Sequence, residues 1–350
     1  MQLSIIVPVY NVAAYIEKCI HSLQQQDISK DDYEIIIIND GSPDNSREVI
    51  LRLMKQFNNI VFIDQINKGV SLARNAGMDR AVGKYFLFID PDDYVEPNSF
   101  SRVLSTTDNQ QAQIAILGFK FLNVDNSVKK EMFFPAFKNK RYSGIEAYYN
   151  SRINITVDPD RTVAILFKRD FMNNAGLRYI SEIPYLEDGE FIARILCLAE
   201  RCIFEGSSFY IRTTRPGSAT NSNLFYAERS IEGFIKAASN LKVFSQSPVL
   251  SEAQRVFMNQ PLSKFTLLAV ESSAKIASFK KLFFVKKKLI ENGLGRLSLV
   301  GVLWPYSTYA RLYNISPFLF VIYLNWKNIL VSIKLKFKKY ATNQQELESA

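Results

Sequence analysis

Five short apolar runs, rich in β-branched residues and spaced by helical patterns, constrain what the first 120 residues can become. They are Ser4–Val9, Glu34–Ile38, Asn59–Ile63, Lys84–Ile89 and Gln113–Phe119. Several are apolar at consecutive rather than alternate positions, as in strands buried on both faces of a parallel sheet. Between the first two, Val12, Tyr15, Ile16, Cys19, Ile20 and Leu23 recur at helical spacing. Ser46–Phe57 and Ser71–Val82 repeat that pattern, with Gly83 placed to stop the third helix. Strand–helix–strand alternation predicts an open, mostly parallel, Rossmann-like α/β sheet, which binds ligands beyond the carboxyl ends of its strands. Further along, Thr162–Lys168, Cys202–Glu205 and Ser208–Arg212 read as strands and Glu187–Leu198 as a helix. A polar stretch, 213–223, leads into a region to Lys339 that reads as helical.

Composition then excludes several chemistries. His21 is the only histidine among 350 residues, which argues against a His-rich zinc site, an HExxH protease and a Ser-His-Asp triad within this chain. Cys19, Cys197 and Cys202 are odd in number and lie among apolar residues, so they read as small buried hydrophobes in a reducing compartment. The first residues, MQLSIIVPVYN, lack a secretion leader, and a cytoplasmic location is expected. The net charge of +9 is local: Glu271 to Tyr340 holds 13 Lys/Arg against 2 Asp/Glu, while the remainder holds 30 against 32. A nucleic-acid-binding fold would more often spread its basicity over a reading face, and no such partner is expected.

The residues that can carry chemistry follow the apolar runs. Asp90-Pro91-Asp92-Asp93 ends the fourth strand, where three carboxylates repel one another and call for a counter-charge. Mg²⁺ or Mn²⁺ favours such ligands; a solvated acidic turn is the plainer alternative. After the second strand, Asp40 in Asn39-Asp40-Gly41-Ser42 can accept hydrogen bonds from a base or ribose, or the motif is only an Asp-Gly turn. In NKGVSLARNAG (67–77), Gly69 and Ser71 would start a helix with Arg74 one turn in, a pairing that suits a diphosphate or a merely capped helix. Glu187-Asp188 opens a helix, where acidic residues are favoured in any case; with one histidine in the chain, a carboxylate is also the remaining candidate for a general base. Arg215–Thr220 is either a basic loop able to close over phosphates or a linker.

In this order, Ser-Ile-Ile-Val-Pro-Val-Tyr-Asn at 4–11, the Asn-Asp-Gly-Ser turn, NKGVSLARNAG, the aspartate cluster and Glu187-Asp188 resemble the inverting family 2 glycosyltransferases of GT-A fold. The resemblance covers about residues 1–220 and implies a nucleotide-binding half (1–100) and an acceptor half (101–220); by their residue patterns a helical C-terminal region (221–340) and a disordered polar end (341–350) follow. It implies that Pro8, Tyr10 and Asp40 line the nucleoside pocket, with Asn67, Gly69, Arg74 and Arg215 also on the donor side. Asp90 and Asp92 would form the DxD pair, Asp92 nearest a Mn²⁺ or Mg²⁺ ion, with Asp93 facing the donor sugar or the metal, and Asp188 would be the base. The implied activity is transfer of a sugar, with a UDP-sugar as the expected donor, to an acceptor hydroxyl in cell-surface polysaccharide or glycolipid synthesis. A non-catalytic nucleotide-sugar-binding protein of the same fold is the rival. One departure stands out: in TVAILFKRDF (162–171) Val163, Ala164 and Ile165 occupy the neighbourhood where the family usually carries a Trp and a Lys.

The basic region 294–339 holds both tryptophans, Trp304 and Trp326, several tyrosines and KLKFKK at Lys334–Lys339. Its longest strictly apolar run, Phe318–Leu324, is far short of the ~20 residues that span a bilayer. Two readings fit: helices lying in the interface of an anionic membrane, near a glycan or lipid-linked acceptor, or a bundle with its lysines in water.

Overall fold

The computed structural model describes residues 1–138, 140–152, 161–181, 183, 186–214, 227–275 and 279–330. Arg215 with its loop to Thr220, the lysines from Lys334 and the polar end after Tyr340 lie outside the described residues. The chain divides into two compact units, Met1–Ser222 and Asn223–Ala350.

In the first unit the strands are β1 (Leu3–Val9), β2 (Tyr33–Asp40), β3 (Ile60–Gln65), β4 (Tyr85–Phe88) and β5 (Tyr94–Val95), then β6 (Ile114–Leu122), β7 (Val128–Met132), β8 (Arg141–Tyr142), β9 (Ile165–Lys168) and β10 (Cys202–Arg212). Helices α1 (Ile16–Gln24), α2 (Ser46–Met54), α3 (Val70–Arg80), α4 (Phe100–Asn109), α5 (Gly144–Asn150), α6 (Arg169–Asn174) and α7 (Glu187–Leu198) intervene. The sheet runs β3-β2-β1-β4-β9-β6-β10-β5. β3, β2, β1 and β4 are mutually parallel, β9 is antiparallel to both β4 and β6, and β6 and β10 are parallel again. The expectation of a mostly parallel α/β sheet thus holds for the first half, and the whole is a mixed sheet.

Every residue of β1 and β2 is buried, which explains why their sequences are apolar without alternation. Each fully buried Ile or Val of Ile5, Ile6, Val7 and Ile35–Ile38 contributes roughly 1.5–3 kcal/mol by leaving water. Gly77 lets α3 lie directly on this layer: a Cβ there would sit 2.3 Å from Cγ2 of Ile6. Gly83 does not stop α3, which ends at Arg80. A Cβ at Gly83 would meet the Ser4 nitrogen at 2.6 Å, so its role is close approach to β1. There Glu34 is buried, accepting from Ser4 Oγ (2.7 Å) and the Val82 amide (2.9 Å). The two runs Cys202–Glu205 and Ser208–Arg212 are one strand, β10, with its register against β6 shifted between Glu205 and Tyr210. All three cysteines are buried and stand outside any disulfide.

The order of strands positions the site. From β1 the chain winds to β2 and β3, then crosses back so that β4 lies on the other side of β1. A crevice opens at the carboxyl ends beside such a reversal. β4 pairs with β1 only as far as Ile6↔Phe88, so Pro8, which has no N–H to give, runs beyond the last ladder bond on that side.

In the second unit α8 (Glu228–Ser245) packs on α9 (Glu252–Lys275), as do α10 (Phe279–Glu291) and α11 (Tyr306–Ile315). Residues 317–330 are also helical. That last helix buries Pro317, Phe320 and Leu324 on one side. On another it exposes Leu319, Ile322, Trp326 and Ile329. Among the described residues no helix is long and apolar enough to cross a membrane.

Candidate active site

The mouth of the sheet carries two neighbouring features. The first is a cavity of about 160 Å³ lined by Pro8, Val9 and Tyr10 from the end of β1, Asp40 from the end of β2, and Asn67, Gly69, Val70 and Ala73 around the start of α3. Tyr10 is half exposed at its rim. Asp40 shapes the wall: Oδ1 accepts from the Lys68 amide (2.8 Å) and Gln65 Nε2 (2.7 Å), and Oδ2 from the Gly69 amide (2.8 Å). A carboxylate offers about four acceptor positions, so one is left for a ligand. Two glycines permit the turn. Gly69 has φ +88° as it enters α3, and Gly41 has φ +66° and lies where a Cβ would be 2.7 Å from the Asn67 nitrogen. Five residues expected on the donor side, Pro8, Tyr10, Asp40, Asn67 and Gly69, are therefore brought together around one hollow.

The second feature is a carboxylate cluster over a buried arginine. Arg74, expected on the donor side, is 4% exposed. Its Nη1 donates to Glu187 Oε1 (2.8 Å) and Asp188 Oδ1 (2.9 Å), and its Nη2 reaches Asp90 Oδ1 at 3.5 Å. Burial opposes its charge, but Asp188, Tyr179, Glu187 and Asp90 together outweigh it and hold its pKa well above the ordinary value. Asp188 Oδ1 also accepts from Thr162 Oγ1 (2.8 Å) and the Tyr179 hydroxyl (3.1 Å). Three donors thus converge on Oδ1, and among the described residues none is bonded to Oδ2. Glu187 is pushed up to about 7 by burial and by Asp188, against the pull of Arg74.

The DxD turn stands beside this cluster. Ligand oxygens of Asp90, Asp92 and Asp93 lie within 4.8 Å of one another. Burial pushes the Asp90 carboxyl up, Arg74 opposing and Asp92 and Asp188 reinforcing. Burial, then Asp90 and Asp92, pushes Asp93 well up. Clustered hard oxygen donors, two of them disfavoured as anions by burial, suit a Mg²⁺- or Mn²⁺-sized cation. The three are not equivalent. Asp93 is buried, accepting from the Tyr210 hydroxyl (2.6 Å) and the Thr213 amide (2.8 Å), while Tyr210 also receives the Asp90 amide (3.3 Å). Asp93 therefore fastens the turn to the end of β10, leaving Asp90 and Asp92 as the more accessible pair.

Sequence reasoning missed three contributors: Thr162, Tyr179 and Asn75. Thr162 and Tyr179 hold Asp188, and Tyr179 is stacked on Phe191 with centroids 3.9 Å apart. Asn75 clamps the Tyr179 backbone from both sides, Nδ2 donating to its carbonyl (2.9 Å) and Oδ1 accepting from its amide (2.8 Å). Of these, only Asn75 had a signal, its place in the ARNAG run.

Residues 4–170 match the family described as "Glycosyl transferase family 2". That stretch includes β1 through β9 and the aspartate turn, and stops short of Glu187 and Asp188. Among curated proteins, the chain is similar to the "Uncharacterized glycosyltransferase EpsJ" of Bacillus subtilis, 33% identical over 232 residues and covering 62% of each. It is also similar to a "Poly(ribitol-phosphate) beta-glucosyltransferase" of Bacillus spizizenii, 29% identical over 68% of this chain and 37% of the relative. The chain thus spans less than two thirds of the length of either. A crystal structure of Staphylococcus aureus TarS 1–349 in complex with UDP-GlcNAc shares the fold, with a TM-score of 0.71 at 20% identity, covering 93% of this chain and 92% of the other. With the sheet, the crevice and these matches together, residues 4–170 belong to glycosyl transferase family 2, and the chain has the GT-A fold.

Proposed function

We propose that this protein transfers a sugar, with inversion at the anomeric carbon, from a UDP-sugar to a hydroxyl of a cell-surface polymer. The observation that carries this reading is the state of Asp188, whose Oδ1 is held by Arg74, Thr162 and Tyr179 one residue from Glu187 and across Arg74 from Asp90. Such fixing aims Oδ2 as a general base. A nucleotide-sugar-binding protein without catalysis would gain nothing from an oriented, partly buried carboxylate there. The relatives support the substrates: one is named for a poly(ribitol-phosphate) acceptor, and the similar TarS structure holds UDP-GlcNAc.

The chain's own residues divide the work as follows. The hollow between Tyr10, Asp40 and Gly69 takes the nucleoside, with Tyr10 against the base and the remaining acceptor position of Asp40 on base or ribose. Asp188 accepts the proton of the acceptor hydroxyl, while Arg74 stays buried beneath it and holds its Oδ1 in place. Asp90 and Asp92 would hold a divalent cation, which when bound neutralises charge growing on the departing diphosphate. Arg215, assigned to the donor side by resemblance, lies outside the described residues. The test is a panel of nucleotide sugars with Mn²⁺ and a polyol-phosphate polymer. Transfer from a UDP-sugar, abolished by EDTA, is expected. Binding of UDP with no turnover of any donor would favour the non-catalytic rival.

The second unit supports a place for the reaction. The exposed Leu319, Ile322, Trp326 and Ile329, with Trp304 three-quarters exposed, precede the lysine-rich run KLKFKK at Lys334–Lys339. Exposed Trp and aliphatic residues among cations suit the interface of an anionic bilayer. Full-length protein should sediment with phosphatidylglycerol vesicles and not with phosphatidylcholine ones, and Ile322→Glu with Trp326→Glu should release it. Equal sedimentation of that double variant would place the contact elsewhere.

A further inference from the structure

Two guanidinium groups beside the site have no part in the reading above. Arg161 lies with its guanidinium 3.6 Å from the ring centroid of Phe119, and Arg212 lies 5.1 Å from that of Phe121. The two rings belong to one strand, β6, and touch at 5.1 Å between centroids. Their location is specific. Arg161 immediately precedes Thr162, whose hydroxyl holds Asp188, and Arg212 immediately precedes Thr213, whose amide holds Asp93.

Arg161 is not at rest in this arrangement. Its Nη1 is buried with no hydrogen-bond partner among the described residues. Burial, then the neighbouring Arg212, depresses its pKa to about 9. A buried donor beside a second cation is what an anion would complete: phosphate oxygens match the planar fork of a guanidinium, and the ring beneath presets its plane.

We propose that Arg161 and Arg212 form an anion subsite that grips a phosphodiester of the acceptor, so that the enzyme selects phosphate-linked polyol chains over neutral glycans. The inference rests on the glycosyltransferase reading and extends it. The nucleoside hollow and the Asp90–Asp92 pair serve the donor, whereas Arg161 is joined through Thr162 to the base, where the acceptor hydroxyl must arrive. A phosphate seated on Arg161 would place the adjoining polyol at Asp188.

The full chain can be tested by calorimetry with two probes: UDP with Mn²⁺, and an oligomer of ribitol phosphate, compared with free ribitol. Wild-type protein should bind the oligomer and not free ribitol, with affinity falling as salt rises. Arg161→Gln should weaken the oligomer by about tenfold or more, the loss of a charged hydrogen bond, and leave UDP within about twofold. Arg161→Lys, which keeps the charge without the fork, should fall between and serves if the glutamine variant does not fold. Weakened UDP with an unchanged oligomer would assign the pair to the donor diphosphate and overturn the proposal, as would a wild-type protein that binds UDP but not the oligomer. Failure to bind UDP at all would instead strike the parent reading.

Discussion

Arg74→Met is the substitution that asks most of the site. The side chain is 5% exposed and serves Glu187, Asp188 and Asp90 at 2.8, 2.9 and 3.5 Å. Methionine fills a similar volume, so the effect to be read is electrostatic. Removing one partner of a buried ion pair costs about 3–5 kcal/mol, and here three carboxylates lose the same cation. The cost depends on pH, and its sign follows from Glu187. Its folded pKa of about 7 is above the unfolded value, so the stability tied to its protonated form is complete below about 4.5 and is lost as pH rises through about 7. Without Arg74 the folded pKa climbs further. The variant should therefore be about 3–5 kcal/mol less stable than wild type at pH 8 and markedly closer to it at pH 5.5. Adding Glu187→Gln should recover about 1–3 kcal/mol at pH 8, a coupling expected of residues in contact. Both tryptophans belong to the second unit, so their fluorescence reports that unit. Amide exchange of β1 and β4, followed in urea without divalent ions, reads the first. A loss below about 1 kcal/mol at pH 8, or additive effects of the two substitutions, would refute the electrostatic account.

Other outcomes follow from the same geometry. Asp188→Asn should keep UDP affinity and lose roughly 10²–10⁴ in turnover, measured by donor consumption; turnover at the wild-type level would remove the base assignment. Tyr179→Phe deletes one of the three donors to Asp188 Oδ1, and kcat should fall about tenfold while KM for the donor holds; a change confined to KM would make Tyr179 a wall of the pocket. Gly77→Ala should cost roughly 1–3 kcal/mol by overpacking against Ile6, and an unchanged urea midpoint would mean that α3 can lift from the sheet at no cost.

The sheet was legible because its central strands are short and fully buried, so runs such as Ile5–Val7 and Ile35–Ile38 are apolar at every position. The hollow was legible for a related reason, since its residues are chain-adjacent to strand ends. What could not be read were the contacts that depend on distant segments meeting. Thr162 and Tyr179 are an ordinary threonine and tyrosine until β9 and α7 are packed, and both then point at one carboxylate oxygen. The sequence suggests only that Asp93 faces the donor sugar or the metal, because proximity cannot say that Tyr210, 117 residues later, fastens its carboxylate. The start of the first helix was set too early. Asn11 has φ +56° and the segment to Tyr15 turns before α1 begins at Ile16, although the apolar spacing runs through it.

The fastening of the aspartate turn to β10 has a dynamic corollary. Thr213 donates its amide to Asp93 and its hydroxyl to the Asp92 carbonyl (2.6 Å), and Tyr210 spans the Asp90 amide and the Asp93 carboxylate. Four hydrogen bonds make these two stretches one mechanical body, so an ion pulling on Asp90 or Asp92 also tugs Arg212 and the chain that continues from it. Linkage requires the converse with equal energy: an acceptor that steadies Arg212 tightens the hold on the ion, and the enzyme would sense a loaded acceptor at the donor's end without any hinge.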